Sequence, residues 1–126
     1  MSLVSPLNKV LGLGSAKGGS EHWWVQRLTA VALIPLGLWF IFALAGLQDF
    51  AYSTVVAWLS RPLTSIFMIL LVLTVSYHSY LGVQVVVEDY VHGKVIKTVT
   101  LILTTFAHIF VGCAGVYAIL RVGFGA

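Results

Sequence analysis

The sequence predicts an all-α integral membrane protein with three transmembrane helices. Of its 126 residues, 60% are hydrophobic and only 9% are charged, whereas soluble domains usually carry about 25% charged residues. Every Lys, Arg, Asp and Glu lies outside three apolar windows, residues 28–47, 63–87 and 98–120. Each window meets the roughly 20 residues that a helix needs to cross the hydrocarbon. Because backbone amides cannot stay unpaired in lipid, each window should be helical.

The basic residues indicate how these spans are oriented. With three spans, the N-terminal segment and the loop 88–97 share one side of the membrane. That side carries Lys9, Lys17, Arg27, Lys94 and Lys97, whereas the other side carries Arg61 and Arg121. The positive-inside rule therefore predicts a cytoplasmic N-terminus. Anionic lipid headgroups explain the net charge of +3 better than nucleic acid does, so we expect no nucleic-acid partner.

Outside the spans, the sequence predicts an arm and a surface helix. Residues 1–21 are polar and Gly-rich and should form an N-terminal arm, ahead of a three-helix membrane domain at residues 22–126. Trp23 and Trp24 suit the headgroup level at the start of the first helix. The first loop, "QDFAYSTVVAWLSRP", should contain a short helix lying on the outer surface. Its apolar side would consist of Phe50, Val55, Trp58 and Leu59.

Glycines in the third span predict a close helix contact. The run "GCAG" places Gly112 and Gly115 three residues apart. Small residues at this spacing let another helix approach closely in a membrane.

The stretch "HSYLGVQVVVEDYVHG" contains the polar groups that carry chemistry. His78 lies about ten residues before the cytoplasmic end of the second span, which is about 15 Å deep. An ionisable residue at that depth is costly and is by default a functional candidate. A neutral imidazole can ligate haem iron there, and Gly82, one turn away, would leave room for a flat macrocycle. His78 can also be a packing residue with a local hydrogen bond, and the residues alone leave both interpretations open.

The same stretch places polar groups at the membrane rim. Eleven residues separate His78 from Asp89, which brings the two within about 20° of each other around a helix. At the rim, Tyr90 offers a phenolic O–H, and Asp89 and His92 can carry protons. These groups suit a lipid-soluble quinone, although they are also typical of a solvated helix end. The same helical period places Gly82 and Val85 on the face that carries His78 and Asp89.

Two further residues have alternative roles. Arg27, at the inner end of the first helix, can hold a haem propionate or extend to a lipid phosphate. His108 lies about ten residues into the third helix, at a depth that matches His78. It can supply a second haem ligand within this chain, or it can bond to a neighbouring hydroxyl or backbone group.

These residues carry a family resemblance. The run "HSYLGVQVVVEDYVHG", together with "SEHWWVQRLTAVAL", resembles the small hydrophobic membrane-anchor subunit of succinate dehydrogenase (respiratory complex II). The resemblance covers about residues 20–97, and the order His, Gly, Gln, Asp-Tyr is its most specific part. It implies an accessory subunit that is not catalytic alone. The location would be the bacterial inner (cytoplasmic) membrane, or the mitochondrial inner membrane in a eukaryote.

The resemblance also implies roles for individual residues. His78 matches the axial ligand of haem b, whose second ligand comes from a second membrane-anchor subunit. Tyr90 matches the tyrosine that hydrogen-bonds ubiquinone, and Asp89 matches the acid beside it. Arg27 and His22 match residues near the haem propionates and the quinone entrance. The remaining partners would be an iron–sulfur subunit and a flavoprotein subunit.

His108 departs from the pattern of this family. The resemblance supplies the second haem ligand from the companion anchor, so a histidine at this depth in the third helix is not needed for that role. His108 could instead contact the haem or the quinone.

Two other functions compete with a redox anchor. One is a structural or assembly subunit without a cofactor, in which the glycines and single polar groups only pack helices. The other is an ion conduit using His78, Asp89 and His108. Conduits generally need more polar groups than these helices supply. The expected architecture is a three-helix unit packed against a similar partner.

Overall fold

The computed structural model describes the backbone of residues 17–125 and the side chains of residues 21–125. Within this part of the chain the structure consists of four helices, which confirms the predicted all-α class. They are α1 (Lys17–Ala45), α2 (Tyr52–Leu59), α3 (Pro62–Tyr90) and α4 (Lys94–Gly123). Most of the predicted N-terminal arm, residues 1–16, lies outside the described residues. The last part of that arm is helical, because α1 already begins at Lys17.

The three predicted spans correspond to three long helices. Glu21–Ala45, Pro62–Tyr90 and Lys94–Gly123 are each long and apolar enough to cross a membrane. Helices α3 and α4, of 29 and 30 residues, are about 45 Å long, so their charged ends extend beyond a hydrocarbon core of about 30 Å. The first helix ends at Ala45, two residues earlier than its apolar window, where Gly46 turns the chain.

The short helix predicted in the first loop is present as α2. Trp58 is only 8% exposed and stacks on Trp39 of α1, with ring centroids 6.3 Å apart. Trp39 also meets Phe67 of α3 edge to face at 5.0 Å. This aromatic cluster holds the loop against the spans. Phe50, predicted to lie on the apolar side of this helix, precedes α2 and is 73% exposed.

A carboxylate organises the turn before α2. The Asp49 carboxylate accepts a hydrogen bond from the backbone N–H of Ala51 at 3.1 Å. The side chain of Thr54, and after it the Ala51 N–H, lower the pKa of Asp49 below its ordinary value. The turn before α2 is therefore stabilised by the charged, exposed side chain of Asp49.

Helix α3 is the centre of the arrangement. It packs against α4 and against α1, whereas α1 and α4 do not pack together within the described residues. Glycines bring α4 close to α3, as predicted for Gly112 and Gly115. A Cβ at Gly112 would lie 3.5 Å from the Ser76 hydroxyl, and a Cβ at Gly115 would lie 2.7 Å from Val72 Cγ1. Because the spans form a row rather than a closed bundle, most of their side chains remain exposed.

The spans alternate in direction. Gln26 near the start of α1 lies beside Gly82 near the end of α3. The start of α1 and the turn between α3 and α4 therefore lie at the same end of the row. This end, which we call the basic end, carries Arg27, Lys94 and Lys97, as the sequence predicted. The positive-inside rule assigns it to the cytoplasm.

We expect Gly115→Ala to weaken the packing of α3 on α4. The added methyl would sit 2.7 Å from the stiff Val72 side chain, and overpacking of this kind costs roughly 1–3 kcal/mol. Gly37→Ala is the matched control, because its Cβ would meet nothing within 4 Å and alanine favours helix. Denaturant titration of the full chain in detergent measures both variants. Equal stability of the two would contradict the close contact.

We expect the basic end to face the cytoplasm. In a Cys113→Ser background, a membrane-impermeant maleimide applied to spheroplasts should label Gln48→Cys, in the outer loop. Gly93→Cys, in the turn between α3 and α4, should react only after permeabilisation. The reverse pattern would invert the topology.

Candidate functional site

His78 makes a defined contact with α1. Its Nδ1 lies 2.9 Å from the hydroxyl oxygen of Thr29. The two residues lie at equal depth, because Thr29 is twelve residues after the start of α1 and His78 is twelve residues before the end of α3. Both therefore lie about 18 Å from the basic end of their helices. Within the described residues, no hydrogen bond reaches the Nε2 of His78.

The face of α1 that carries Thr29 also carries two unsatisfied polar atoms. His22 and Gln26 lie seven and three residues before Thr29, so the three side chains form one stripe along the helix. The Nε2 of His22 and the Oε1 of Gln26 are both buried without a hydrogen-bond partner. A buried polar atom without a partner costs roughly 1–3 kcal/mol. Unpaired atoms here therefore indicate a place where a further polar group can bind.

Gly82 lies beside Gln26 on the seam between α1 and α3. It is one turn beyond His78 on α3, and the Gln26 side-chain nitrogen would lie 3.7 Å from an added Cβ, which is an ordinary van der Waals distance. The room for a flat macrocycle that the sequence predicted at this glycine stays a prediction.

Arg27 lies on a different side of α1. Its guanidinium sits over the Trp23 ring at 4.5 Å from the centroid, and the residue is exposed. Two helical steps separate Arg27 from Thr29, which corresponds to about 200° around the axis. His22 and Arg27 are about 140° apart on the same basis. The structure therefore does not bring these two predicted site residues onto one face.

Helix α3 continues to Tyr90, so the predicted stripe from His78 to Asp89 is on one unbroken helix. Tyr90 is 77% exposed, and Asp89 and His92 are exposed beside it. The His92 ring contacts the Tyr90 carbonyl through Nδ1 at 3.1 Å. The phenolic oxygen of Tyr90 has no hydrogen bond to any described residue. Asp89, Tyr90 and His92 form a polar rim at the basic end, and we call them the rim cluster.

Neighbouring residues at the rim bond to one another: Lys97 of α4 reaches α3, and Gln84 and Glu88 pair within α3. The Lys97 ammonium donates to the Glu88 carbonyl oxygen at 2.7 Å, and the Gln84 amide donates to the Glu88 carboxylate at 2.9 Å. These contacts give the carbonyl and carboxylate of Glu88 hydrogen-bond partners without involving the side chains of Asp89 or Tyr90. The side chains of those two residues therefore keep their donors and acceptors available to an outside group.

His108 is engaged on both of its ring nitrogens. Its Nδ1 lies 2.8 Å from the Thr104 carbonyl oxygen, which can only accept, so Nδ1 carries the proton. Its Nε2 then accepts from the Ser79 hydroxyl at 3.2 Å. The ring also meets Tyr80 edge to face at 5.9 Å. This geometry matches the interpretation of His108 as a residue bonded to neighbouring groups and leaves no free lone pair for iron.

His78 offers a single imidazole rather than a share in a cluster of metal ligands. No group of three or more His, Cys, Asp and Glu side chains comes together between residues 21 and 125. A single imidazole is sufficient for an axial bond to haem iron. The unbonded Nε2 of His78 and the unpaired atom of His22 are consistent with such a group.

Sequence reasoning missed Thr29 and Gln26. Both lie on the stripe that begins at His22, and the i, i+4, i+7 spacing was a usable signal. The signal was hidden because threonine and glutamine in an apolar helix commonly bond only to their own helix.

Comparison with known proteins gives a consistent result. A family model described as succinate dehydrogenase/fumarate reductase transmembrane subunit matches residues 1–116. The chain is 32% identical over 115 residues to a succinate dehydrogenase hydrophobic membrane anchor subunit of Rickettsia bellii (strain RML369-C), covering 91% of this chain and 92% of that one. The succinate dehydrogenase hydrophobic membrane anchor subunit of Paracoccus denitrificans is 29% identical over 126 residues, or 100% and 97% of the two chains.

A third relative extends the range of organisms. The succinate dehydrogenase membrane anchor subunit of Reclinomonas americana is 36% identical over 100 residues, covering 75% of this chain and 82% of that one. No solved structure matches the chain significantly.

Proposed function

The chain belongs to the succinate dehydrogenase/fumarate reductase transmembrane subunit family, and we propose that it anchors such a complex while contributing to a haem b site and a quinone site. It is an accessory membrane subunit rather than a catalytic one, as its relatives are. The observation that carries the proposal is the unbonded Nε2 of His78 in mid-membrane, held by a hydrogen bond at the opposite ring nitrogen.

His78 is the proposed axial ligand of haem b. A neutral imidazole brings no charge into the hydrocarbon and presents one lone pair to iron. Its depth of about 18 Å places it near the middle of the bilayer. Haem supplies single-electron storage when it is bound. This chain offers one free imidazole nitrogen at that depth, so the second ligand would come from a second membrane-anchor subunit.

Tyr90 and Asp89 are the proposed quinone-site residues. Reducing a quinone to a quinol requires two electrons and two protons, so the site must face both lipid and water. The rim cluster meets this requirement because it lies at the end of a span and is exposed. The Tyr90 phenol would donate to a quinone carbonyl oxygen, and Asp89 would relay protons from water. The resemblance favours ubiquinone as the substrate.

The helix row itself supports the presence of partners. Helices α1 and α4 cover only two sides of α3, and almost none of the span residues is buried within the chain. Polar side chains such as His78 would face lipid at a cost of several kcal/mol unless a further group covered them. A second anchor subunit fits this need. The iron–sulfur and flavoprotein subunits would dock at the basic end.

Arg27 and His22 have less direct proposed roles. Arg27 is exposed on α1 and lies two residues, or about 3 Å, nearer the basic end than Thr29. Its guanidinium can reach a propionate of a haem shared with the partner subunit. His22 lies on the same stripe of α1 as Gln26 and Thr29, and its Nε2 is buried without a partner. Because they point to different sides of α1, we propose Arg27 for the propionate and His22 for the quinone entrance.

We expect His78→Ala to lose or shift the haem b signal. The measurement is a reduced-minus-oxidised visible spectrum of the purified complex, native beside variant. His108→Ala is the matched control at similar depth, and it should retain the signal because both nitrogens of His108 are engaged within the chain. A native complex without haem, or an unchanged His78→Ala spectrum, would contradict the proposal. The first result would favour a structural subunit without a cofactor.

We expect Tyr90→Phe to slow quinone reduction by roughly fivefold or more, since the variant loses about one net hydrogen bond. Succinate oxidation with an artificial electron acceptor should continue at the native rate, because that activity bypasses the quinone. Tyr52→Phe is the control, since Tyr52 is similarly exposed but lies at the opposite end of the row. Full quinone activity in Tyr90→Phe would remove the residue from the site.

A further inference from the structure

We propose that Thr29 is a positioning residue that holds the His78 ring in the tautomer that binds iron, with Nδ1 protonated and Nε2 bare. The inference rests on the proposed haem role of His78. It adds a residue of α1 to a haem contact that the sequence placed on α3.

The tautomer of His78 follows from the direction in which the Thr29 hydroxyl donates its proton. The Thr29 hydroxyl oxygen lies 3.0 Å from the Val25 carbonyl oxygen and 3.0 Å from the Gln26 carbonyl oxygen. Carbonyl oxygens only accept, so the single hydroxyl proton is directed to its own helix. The lone pairs of the hydroxyl oxygen then face His78 Nδ1 at 2.9 Å. Only a protonated Nδ1 makes a hydrogen bond in that arrangement.

A proton on Nδ1 has a direct consequence for the other nitrogen. A neutral imidazole carries one proton, so Nε2 must present its lone pair. The same hydrogen bond fixes the rotation of the ring and increases the basicity of Nε2, as acceptors behind metal-bound histidines generally do. Thr29 therefore fixes the orientation of the His78 ring and strengthens the proposed bond from Nε2 to iron.

His108 provides the comparison within the same membrane layer. Its Nδ1 also carries the proton, which it donates to the Thr104 carbonyl. Its Nε2, however, is already used by the Ser79 hydroxyl. The chain thus contains two histidines with the same tautomer at similar depth. Of these two histidines, only His78 combines that tautomer with an Nε2 that no described side chain occupies.

The test compares Thr29→Val with Thr29→Ser in the purified complex. Valine keeps the shape of threonine but removes the oxygen, whereas serine keeps the oxygen and removes the methyl group. Two quantities are measured: the rate of haem transfer to excess apomyoglobin, and the midpoint potential of the haem. Thr105→Val is the control, because Thr105 makes the same kind of intrahelical bond, to the Leu101 carbonyl, without a histidine partner.

We expect haem loss to be roughly 10–100-fold faster in Thr29→Val, because removing a hydrogen-bond partner of a metal-binding histidine typically lowers metal affinity by that factor. The potential should rise, because a less basic Nε2 stabilises ferric iron less. Thr29→Ser should stay close to native in both quantities, and so should Thr105→Val. If Thr29 served only in packing, Thr29→Ser would change the rate of haem loss and the midpoint potential at least as much as the isosteric Thr29→Val.

The outcomes separate this inference from the proposed function. If His78→Ala abolishes or shifts the haem signal but Thr29→Val matches native in both quantities, the haem role stands and the role of Thr29 is wrong. If Thr29→Ser changes as much as Thr29→Val, Thr29 is a packing residue. If the native complex carries no haem, or if His78→Ala leaves the signal unchanged, the proposed function fails and this inference fails with it.

Discussion

In the hydrocarbon of a membrane, no water is available to pair with a backbone N–H or C=O, and everything else in this structure follows from that condition. The three spans are helices because a helix satisfies its own backbone. Several hydroxyl groups inside them obey the same condition, because they donate to a carbonyl one turn earlier. Those of Thr29, Thr74, Thr98 and Thr105 do so. A polar atom that remains without a partner in this setting is consequently informative.

Such atoms are concentrated on one seam. Along the contact between α1 and α3, His22 and Gln26 each retain a buried, unpaired atom, and His78 retains an unbonded nitrogen. On the contact between α3 and α4, by comparison, both ring nitrogens of His108 are paired within the chain. The seam between α1 and α3 runs from the basic end to the middle of the membrane. Among the described residues, it is therefore the place where a bound cofactor or substrate would satisfy unpaired polar atoms.

The proposed function divides redox chemistry between two depths. His78 and Tyr90 lie about 18 Å apart along α3, which provides a rigid connection between mid-membrane and rim. A haem at His78 would hold electrons in the hydrocarbon, where protons are scarce. The rim cluster would take up protons at the membrane surface, where water is abundant. The open row of helices complements this division, because a second anchor subunit can cover α3 and complete both sites. The chain would then form half of a membrane unit.

Four features were predictable from the sequence: the three spans, the short helix in the first loop, the shared end of the basic residues and the stripe from His78 to Asp89. Those features depend on local composition and helical period, which a linear chain carries in full. The sequence predicted the close contacts of Gly112 and Gly115 without naming their partners. The contact of Thr29 with His78 and the position of Gln26 beside Gly82 emerge only from the packing of the helices. Helical period tells which residues share a face, but the neighbour that each face meets is set by how whole helices pack against one another.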